Sequence, residues 1–212
     1  MSRRAAAHVL AALVPLVLAG CGLLMAPRTI SPQFFVLDAA APATGVRTDI
    51  SIGLGPISLP SYLDRPEMAR RLDANQIAYD PEARWAEPLK TDFERTLAAD
   101  LVQLLGPQRI LVFPWYRTAE LDFTVTVAAT RFEQQPDGNV VLAARWVVRD
   151  RHDAPLTVET ASYTRPGGTP AENAAALSAL VAELSQAIAA QIQSAPVSHQ
   201  PRGTAAAQPQ AE

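Results

Sequence analysis

Two long apolar alternations, separated by a tight-turn signal, constrain what this chain can fold into more than any other feature. Leu121, Phe123, Val125 and Val127 alternate with Asp122, Thr124 and Thr126. Beyond them Val140, Leu142, Ala144, Trp146 and Val148 face one way while Arg145 and Arg149 face the other. A period of two sends successive side chains to opposite faces of a strand, so each run is a strand with one dry face and one wet face. Between them Pro136-Asp137-Gly138-Asn139 combines residues that favour tight turns and positive φ. The pair therefore reads as an antiparallel hairpin that needs an apolar layer over one side.

The rest of the chain supplies further strands and that layer. Phe34-Phe35-Val36-Leu37 reads as a short strand. Asp49 to Leu54 alternates with Ile50, Ile52 and Leu54 on one face, and Pro56 either ends it or places it at a sheet edge. Glu67–Leu72 and Gln76–Tyr79 flank Asp73-Ala74-Asn75 as a hairpin. A helix is expected from Pro88 to Leu105, with Pro88 at the first helical position, Gly106 as the C-cap, and Leu89, Phe93, Leu97, Leu101 and Leu104 in helical phase. Arg109–Phe113 is a strand closed by Pro114, and Pro155–Thr164 is another. Thr169-Pro170-Ala171-Glu172 is a capping box opening a second helix, striped by Leu177, Leu180, Val181, Leu184, Ile188 and Ile192. The order is strands, helix, four strands, helix. Without regular strand–helix–strand alternation, this is α+β: an antiparallel β-sheet with two main helices packed on one face.

The chemistry such a domain can perform is narrowed by what it lacks. A near-neutral balance of 18 Lys+Arg against 21 Asp+Glu argues against nucleic acid, which needs clustered basic surface. One cysteine excludes an internal disulfide framework and a Cys-based zinc site. His8 and His199 fall in the terminal segments, which leaves His152 inside Arg149-Asp150-Arg151-His152-Asp153, a solvated hairpin loop. Gly53-Leu54-Gly55-Pro56 has the start of a dinucleotide fingerprint without its remainder, and there is no Gly-x-Ser-x-Gly elbow, HExxH or phosphate loop. No catalytic, metal-binding or cofactor-binding residues are expected, and the chain reads as a non-enzyme.

The lone cysteine has a different use. Arg3 and Arg4 precede an apolar run from Ala5 to Leu18, too short and too Ala-rich for a stable span. The run ends in Leu18-Ala19-Gly20-Cys21, which resembles a bacterial lipobox, cut before the cysteine and then acylated there. Residues 1–20 are then a signal peptide, and Cys21 carries lipid chains of the palmitate type. Three acyl chains at about 0.8 kcal/mol per buried CH₂ anchor a protein stably. Residue 22 is Gly rather than the Asp that marks inner-membrane retention in enterobacterial lipoproteins, so the resemblance implies the periplasmic face of the outer membrane. The processed chain loses Arg3 and Arg4 and keeps 16 positive side chains against 21 negative, so anchoring rests on the lipid. Residues 21–32 read as a lipidated tether, 33–194 as the folded domain, and 195–212, with three Pro and nothing more apolar than Val197, as a disordered tail.

Two polar–aromatic segments stand out within the domain: Leu59-Pro60-Ser61-Tyr62-Leu63-Asp64-Arg65-Pro66-Glu67-Met68 and Arg84-Trp85-Ala86-Glu87-Pro88-Leu89. Taken singly, Tyr62 and Trp85 read as covers of the core edge, Arg65 and Arg84 as partners of carboxylates, and Glu87 as a helix cap. Taken together, Tyr62, Asp64, Arg65, Arg84 and Trp85 are the candidate partner interface, because Trp, Tyr and Arg dominate protein–protein hot spots. These segments, with Phe34–Leu37, Gly55–Pro60, Val140–Trp146 and the lipobox, resemble the PqiC-like, ABC-type transport auxiliary lipoproteins. The chain departs from that pattern at Met68-Ala69-Arg70-Arg71, where a more β-branched strand is expected. The resemblance implies a non-catalytic periplasmic subunit that docks on an MCE-domain protein of the inner membrane, in a system moving lipids between membranes and supporting envelope integrity. The docking surface would engage that partner or a neighbouring copy of the chain. The alternative is a structural or assembly lipoprotein that binds an envelope protein without handling lipid. An envelope hydrolase lacks its residues.

Overall fold

The two alternations pair as expected and form the spine of the molecule. In the computed structural model, which describes residues 31–45, 49–107, 109–116 and 120–195, they are β6 (Phe123–Gln134) and β7 (Asn139–Asp150), antiparallel over nearly their whole length. β8 (Pro155–Pro166) continues the antiparallel ladder beyond β7. Phe123, Val125 and Val127 on β6, and Val140, Leu142, Ala144, Trp146 and Val148 on β7, are all buried. Their shared phase survives an irregularity between Ala129 and Arg131, after which Phe132 returns to the dry face. At the turn, Gly138 takes φ 87°, and the Asp137 side chain accepts from the backbone N–H of Asn139 at 3.0 Å.

On its other side β6 meets two separate groups of strands. Its first half pairs in parallel with β2 (Ser51–Ser58), which in turn pairs in parallel with β5 (Arg109–Val112). Its last residue, Gln134, pairs with Arg70 of β3 (Glu67–Arg71). β3 forms an antiparallel hairpin with β4 (Ile77–Trp85), and β1 (Gln33–Phe35) lies parallel to the end of β4. The sheet is thus eight-stranded and mixed, so the purely antiparallel sheet expected from the sequence is corrected to one in which β1, β2, β3 and β5 contribute parallel pairs. The reason is connectivity: chain crossing the helical layer returns in the same direction, which a two-residue hairpin cannot do.

α1 (Leu89–Leu105) and α2 (Pro170–Ser194) pack on each other and on one face of this sheet, giving the expected α+β architecture and element order. Leu89, Phe93, Leu97, Leu101 and Leu104 of α1 are buried, as is the whole stripe from Leu177 to Ile192 on α2. Phe93 meets Phe132 edge to face at 5.3 Å between centroids, and the Trp146 indole N–H donates to Gln191 Oε1 at 3.0 Å. α1 ends at Gly106 in the left-handed region with φ 59°. α2 opens with the anticipated capping box: Thr169 Oγ1 accepts from Glu172 N–H, and the Glu172 carboxylate accepts from Thr169 N–H at 2.7 Å.

Several expectations are corrected here. Pro56 neither ends β2 nor marks an edge: β2 lies between β5 and β6, and Pro56 sits where the β2–β6 register slips between Leu54 and Ile57. An irregular position tolerates a residue with no N–H to give. Beside it Gly55 has φ 122°, and a Cβ there would lie 2.7 Å from Phe113 Cβ. β1 stops at Phe35, and Leu37 turns into the core instead of continuing the strand. Pro88 is the N-cap of α1 rather than its first helical residue, and Glu87 pairs with Arg95 at 3.2 Å instead of capping. Met68–Arg71 is a strand in spite of its composition, because Met68 supplies one buried anchor and β4 supplies the ladder.

Between β1 and β2 the chain makes a strap over the helices. Its backbone N–H groups are received by side chains of the helical layer: Leu37 by Asp92 at 2.8 Å, Asp38 by Ser178 at 3.1 Å, and Ala40 and Ala41 both by Asp100 at 2.9 Å. Thr44 and Gly45 then bond to the Gln103 carbonyl near the end of α1. The signal peptide of residues 1–20 with Cys21, the tether as far as residue 30, and the tail from 196 onward lie outside the described residues.

Candidate partner-facing surface

The β3–β4 hairpin sorts the expected interface residues by strand phase. Arg84 and Trp85 adjoin in sequence, so they leave opposite faces of β4. Trp85 points into the core, where only 5% of it is exposed, with Leu63, Met68, Ala83, Leu89, Phe132 and Leu177 around the same small cleft. As an exposed anchor for a partner, Trp85 is therefore corrected to a core residue. Arg84 points to the side away from the helices and binds Glu67 Oε1 at 3.1 Å. Arg65 approaches the other oxygen of Glu67 at 3.6 Å, and its guanidinium lies 4.4 Å over the Tyr79 ring. Asp64 is exposed beside it. One carboxylate thus gathers two arginines, and the Tyr79 hydroxyl donates to the Tyr62 carbonyl at 3.1 Å, tying the turn at Ser61–Leu63 to β4.

Tyr62 takes part in a second, dry cluster. Its hydroxyl donates to Glu133 Oε2 at 2.9 Å, and Arg71 Nε donates to Glu133 Oε1 at 3.0 Å. Glu133 is 1% exposed and also accepts from Phe132 N–H and Gln135 Nε2. Burial, reinforced by the Glu133 carboxylate, pushes the Tyr62 phenol up to about 12. The Arg71 guanidinium stands 6.0 Å from the Tyr62 ring centroid. A carboxylate with four donors, one of them the Arg71 guanidinium, is a satisfied structural group. It fastens the Tyr62 turn over the outer face of β6, and it leaves no lone pair free for proton transfer to a substrate.

Tyr62, Arg65 and Arg84 thus share one side of the hairpin, with Asp64 exposed next to Arg65 in the chain, and Trp85 lies behind them in the core. Sequence reasoning missed Glu67 and Glu133, the two carboxylates that organise the patch. Glu133 sits in phase with the wet face of β6, and it becomes dry only because a turn some seventy residues earlier folds over it. Among the described residues, no three His, Cys, Asp or Glu side chains converge as metal ligands do. His152 lies exposed in the β7–β8 turn.

Residues 35–189 match the family model of the ABC-type transport auxiliary lipoprotein component. The chain belongs to that family. Membership makes it an auxiliary, membrane-anchored envelope lipoprotein associated with a transporter system. No curated protein matches it. Solved structures that share its fold include the following two. Protein XCC0632 from Xanthomonas campestris aligns over 76% of this chain and 97% of its own, with 13% identity and a TM-score of 0.64. The crystal structure of an uncharacterized protein aligns over 76% and 99%, with 19% identity and a TM-score of 0.60.

Proposed function

We propose that the protein is held by acylated Cys21 on the periplasmic face of the outer membrane, where it is the docking subunit of an MCE-type intermembrane lipid transport system. The observation that carries this reading is the family match at residues 35–189 directly behind Leu18-Ala19-Gly20-Cys21. Lipids do not cross an aqueous gap unaided, so a conduit from the inner membrane needs a fixed point on the other side. A domain whose buried carboxylates, Asp92, Asp100 and Glu133, are all engaged in structural hydrogen bonds suits a support role better than a chemical one. The exposed part of the hairpin, Asp64 and Arg65 with Arg84 beside them, is the candidate contact for the MCE-domain partner.

The test is copurification of the tagged protein from solubilised envelopes. An MCE-domain protein retained by wild type supports the reading. Recovery of a wall or assembly protein instead, with no MCE-domain partner, would replace it with a structural lipoprotein that never handles lipid. Cys21→Ser is expected to move the protein from the membrane pellet to the soluble fraction or to arrest it as precursor. An intact mass of the wild type without an acyl adduct would overturn the anchor.

A further inference from the structure

Scattered apolar side chains on a surface are ordinary, but a contiguous run of them marks a contact. Val112, Phe113 and Tyr116, at and just beyond the end of β5, are all exposed, Tyr116 by 86%. No other five consecutive described residues expose three large apolar side chains. Trp115 among them is half-buried, and its ring meets that of Phe113 edge to face at 5.4 Å between centroids.

These rings are seated on β2. Gly53 and Gly55 alternate with the buried Ile52 and Leu54, so they open onto the face away from the helices. A Cβ on Gly53 would lie 2.6 Å from Leu121 Cδ1 and 3.1 Å from Trp115 Cζ2, too close for any side chain. The segment lies flush on β2 because the strand carries no side chain there. Its ends are fixed as well. Phe113 N–H donates to the Leu54 carbonyl at 2.9 Å, and the Arg109 guanidinium donates to the Glu120 carbonyl at 2.7 Å. Phe113 and Trp115 therefore stand on a fixed base, with Tyr116 next to them in solvent.

Reach and charge say what covers the segment. From Cys21 to Gln33 the chain extends to about 40 Å at most, roughly the width of a domain of this size. The acyl anchor proposed above thus keeps every face of the domain within reach of the bilayer. A tether that short holds its cargo at an effective concentration on the order of millimolar, so a small apolar contact is enough to orient the domain. From Leu101 to Ala119 the sequence has two Arg and neither Asp nor Glu, in a chain with 21 acidic residues. That local balance suits an anionic lipid surface. Trp and Tyr settle at headgroup level because each joins an apolar ring to a polar tip.

We propose that Val112–Tyr116 is a bilayer contact: Phe113, Trp115 and Tyr116 enter the headgroup region of the leaflet that holds Cys21 and fix which side of the domain faces the membrane. The contact rests on the acyl anchor at Cys21, and it uses none of the hairpin residues Asp64, Arg65 and Arg84.

Tryptophan quenching tests it on the acylated full chain, purified from membranes and reconstituted into vesicles of phosphatidylethanolamine with a minor share of phosphatidylglycerol. Trp85 and Trp146 are buried, so Trp115 is the one accessible indole of three. Lipids brominated near the carbonyl end of the acyl chain are expected to lower the emission of the wild type, by up to the share of that one indole. Trp115→Phe is expected to abolish the loss, and Tyr116→Asp to cut it to about half or less. A reporter on another surface, Leu156→Trp in the Trp115→Phe chain, is expected to stay unquenched. A protein that floats with the vesicles while Trp115 is unquenched would overturn the loop contact and leave the anchor standing. Failure to float at all would overturn both. Equal quenching of the Leu156→Trp reporter would overturn the fixed orientation. No quenching, together with loss of the transport partner from Tyr116→Asp in copurification, would overturn the bilayer as occupant in favour of a protein.

Discussion

Arg84 and Trp85 look alike in the sequence as members of an aromatic–arginine segment, but one bond of strand geometry separates their fates. Trp85→Ala removes a large buried side chain and is expected to cost about 3–5 kcal/mol, a fall in Tm on the order of 10 °C. Arg65→Ala removes a half-exposed guanidinium, with 54% of its side chain in solvent, whose exposed ion pair is worth roughly 0–1 kcal/mol. It is expected to leave Tm nearly unchanged while weakening retention of the transport partner in the copurification assay. Unchanged retention with Arg65→Ala would remove this patch from the docking surface. The residue types of the patch were legible in the sequence, but their sorting was not. It depends on β4 reaching as far as Trp85, and the composition Tyr79-Asp80-Pro81-Glu82 hides that strand. Glu133 was illegible for a related reason, since burial of a wet-face residue is decided by the distant turn that covers it.

The strap and the capping box show how differently two elements can be written into a chain. The capping box uses residues three apart, so Thr169 and Glu172 announced α2 on their own, and Thr169→Ala is expected to cost about 1 kcal/mol, measured as a lower denaturant midpoint. The strap uses Asp92 and Asp100, which lie 55 and 60 residues from their partners Leu37 and Ala40. Nothing local distinguishes them from surface carboxylates on a helix. Burial raises both above the ordinary carboxylate value of 3.8, against the opposing pull of the N–H bonds they accept. A folded-state pKa above the unfolded one contributes stability that is complete below 3.8 and is lost as pH rises through the folded value. Asp100→Asn keeps an acceptor for Ala40 and Ala41 without the charge, so its stability relative to wild type is expected to improve as pH rises through that window. Asp122 has the opposite sign. Although burial opposes ionisation there, the N–H and hydroxyl of Ser51 together with Arg151 hold it below 3.8. Asp122→Asn is therefore expected to be destabilising at neutral pH, with the deficit shrinking as pH falls through the depressed value. Urea denaturation of both variants from pH 3 to pH 7, an interval chosen to bracket about 4, checks the two slopes, and equal slopes would contradict the assignment.

Across the whole molecule, the class and order of elements followed from periodicity, but the arrangement of the sheet did not. The β6–β7–β8 meander was legible because hairpins pair neighbours in sequence, while the parallel pairing of β2 with β5 and β6 needs chain from far apart to meet. Pro56 misled for the same reason: it argues for an edge unless the register slip beside it is known. Deleting residues 196–212 is expected to leave Tm within about 2 °C, since that stretch offers little apolar surface to bury. A larger fall in a thermal melt would show that it packs on the domain. The route by which the chain enters the domain has a mechanical side. Tension arriving at Gln33 falls first on β1, zipped alongside β4, and then on the strap, whose amides are held one after another by Asp92, Ser178 and Asp100. A pull along that line loads the bonds of β1 together in shear rather than opening them singly. Any slack that does pass is handed to the helices, and the spine of β6 and β7 is strained last.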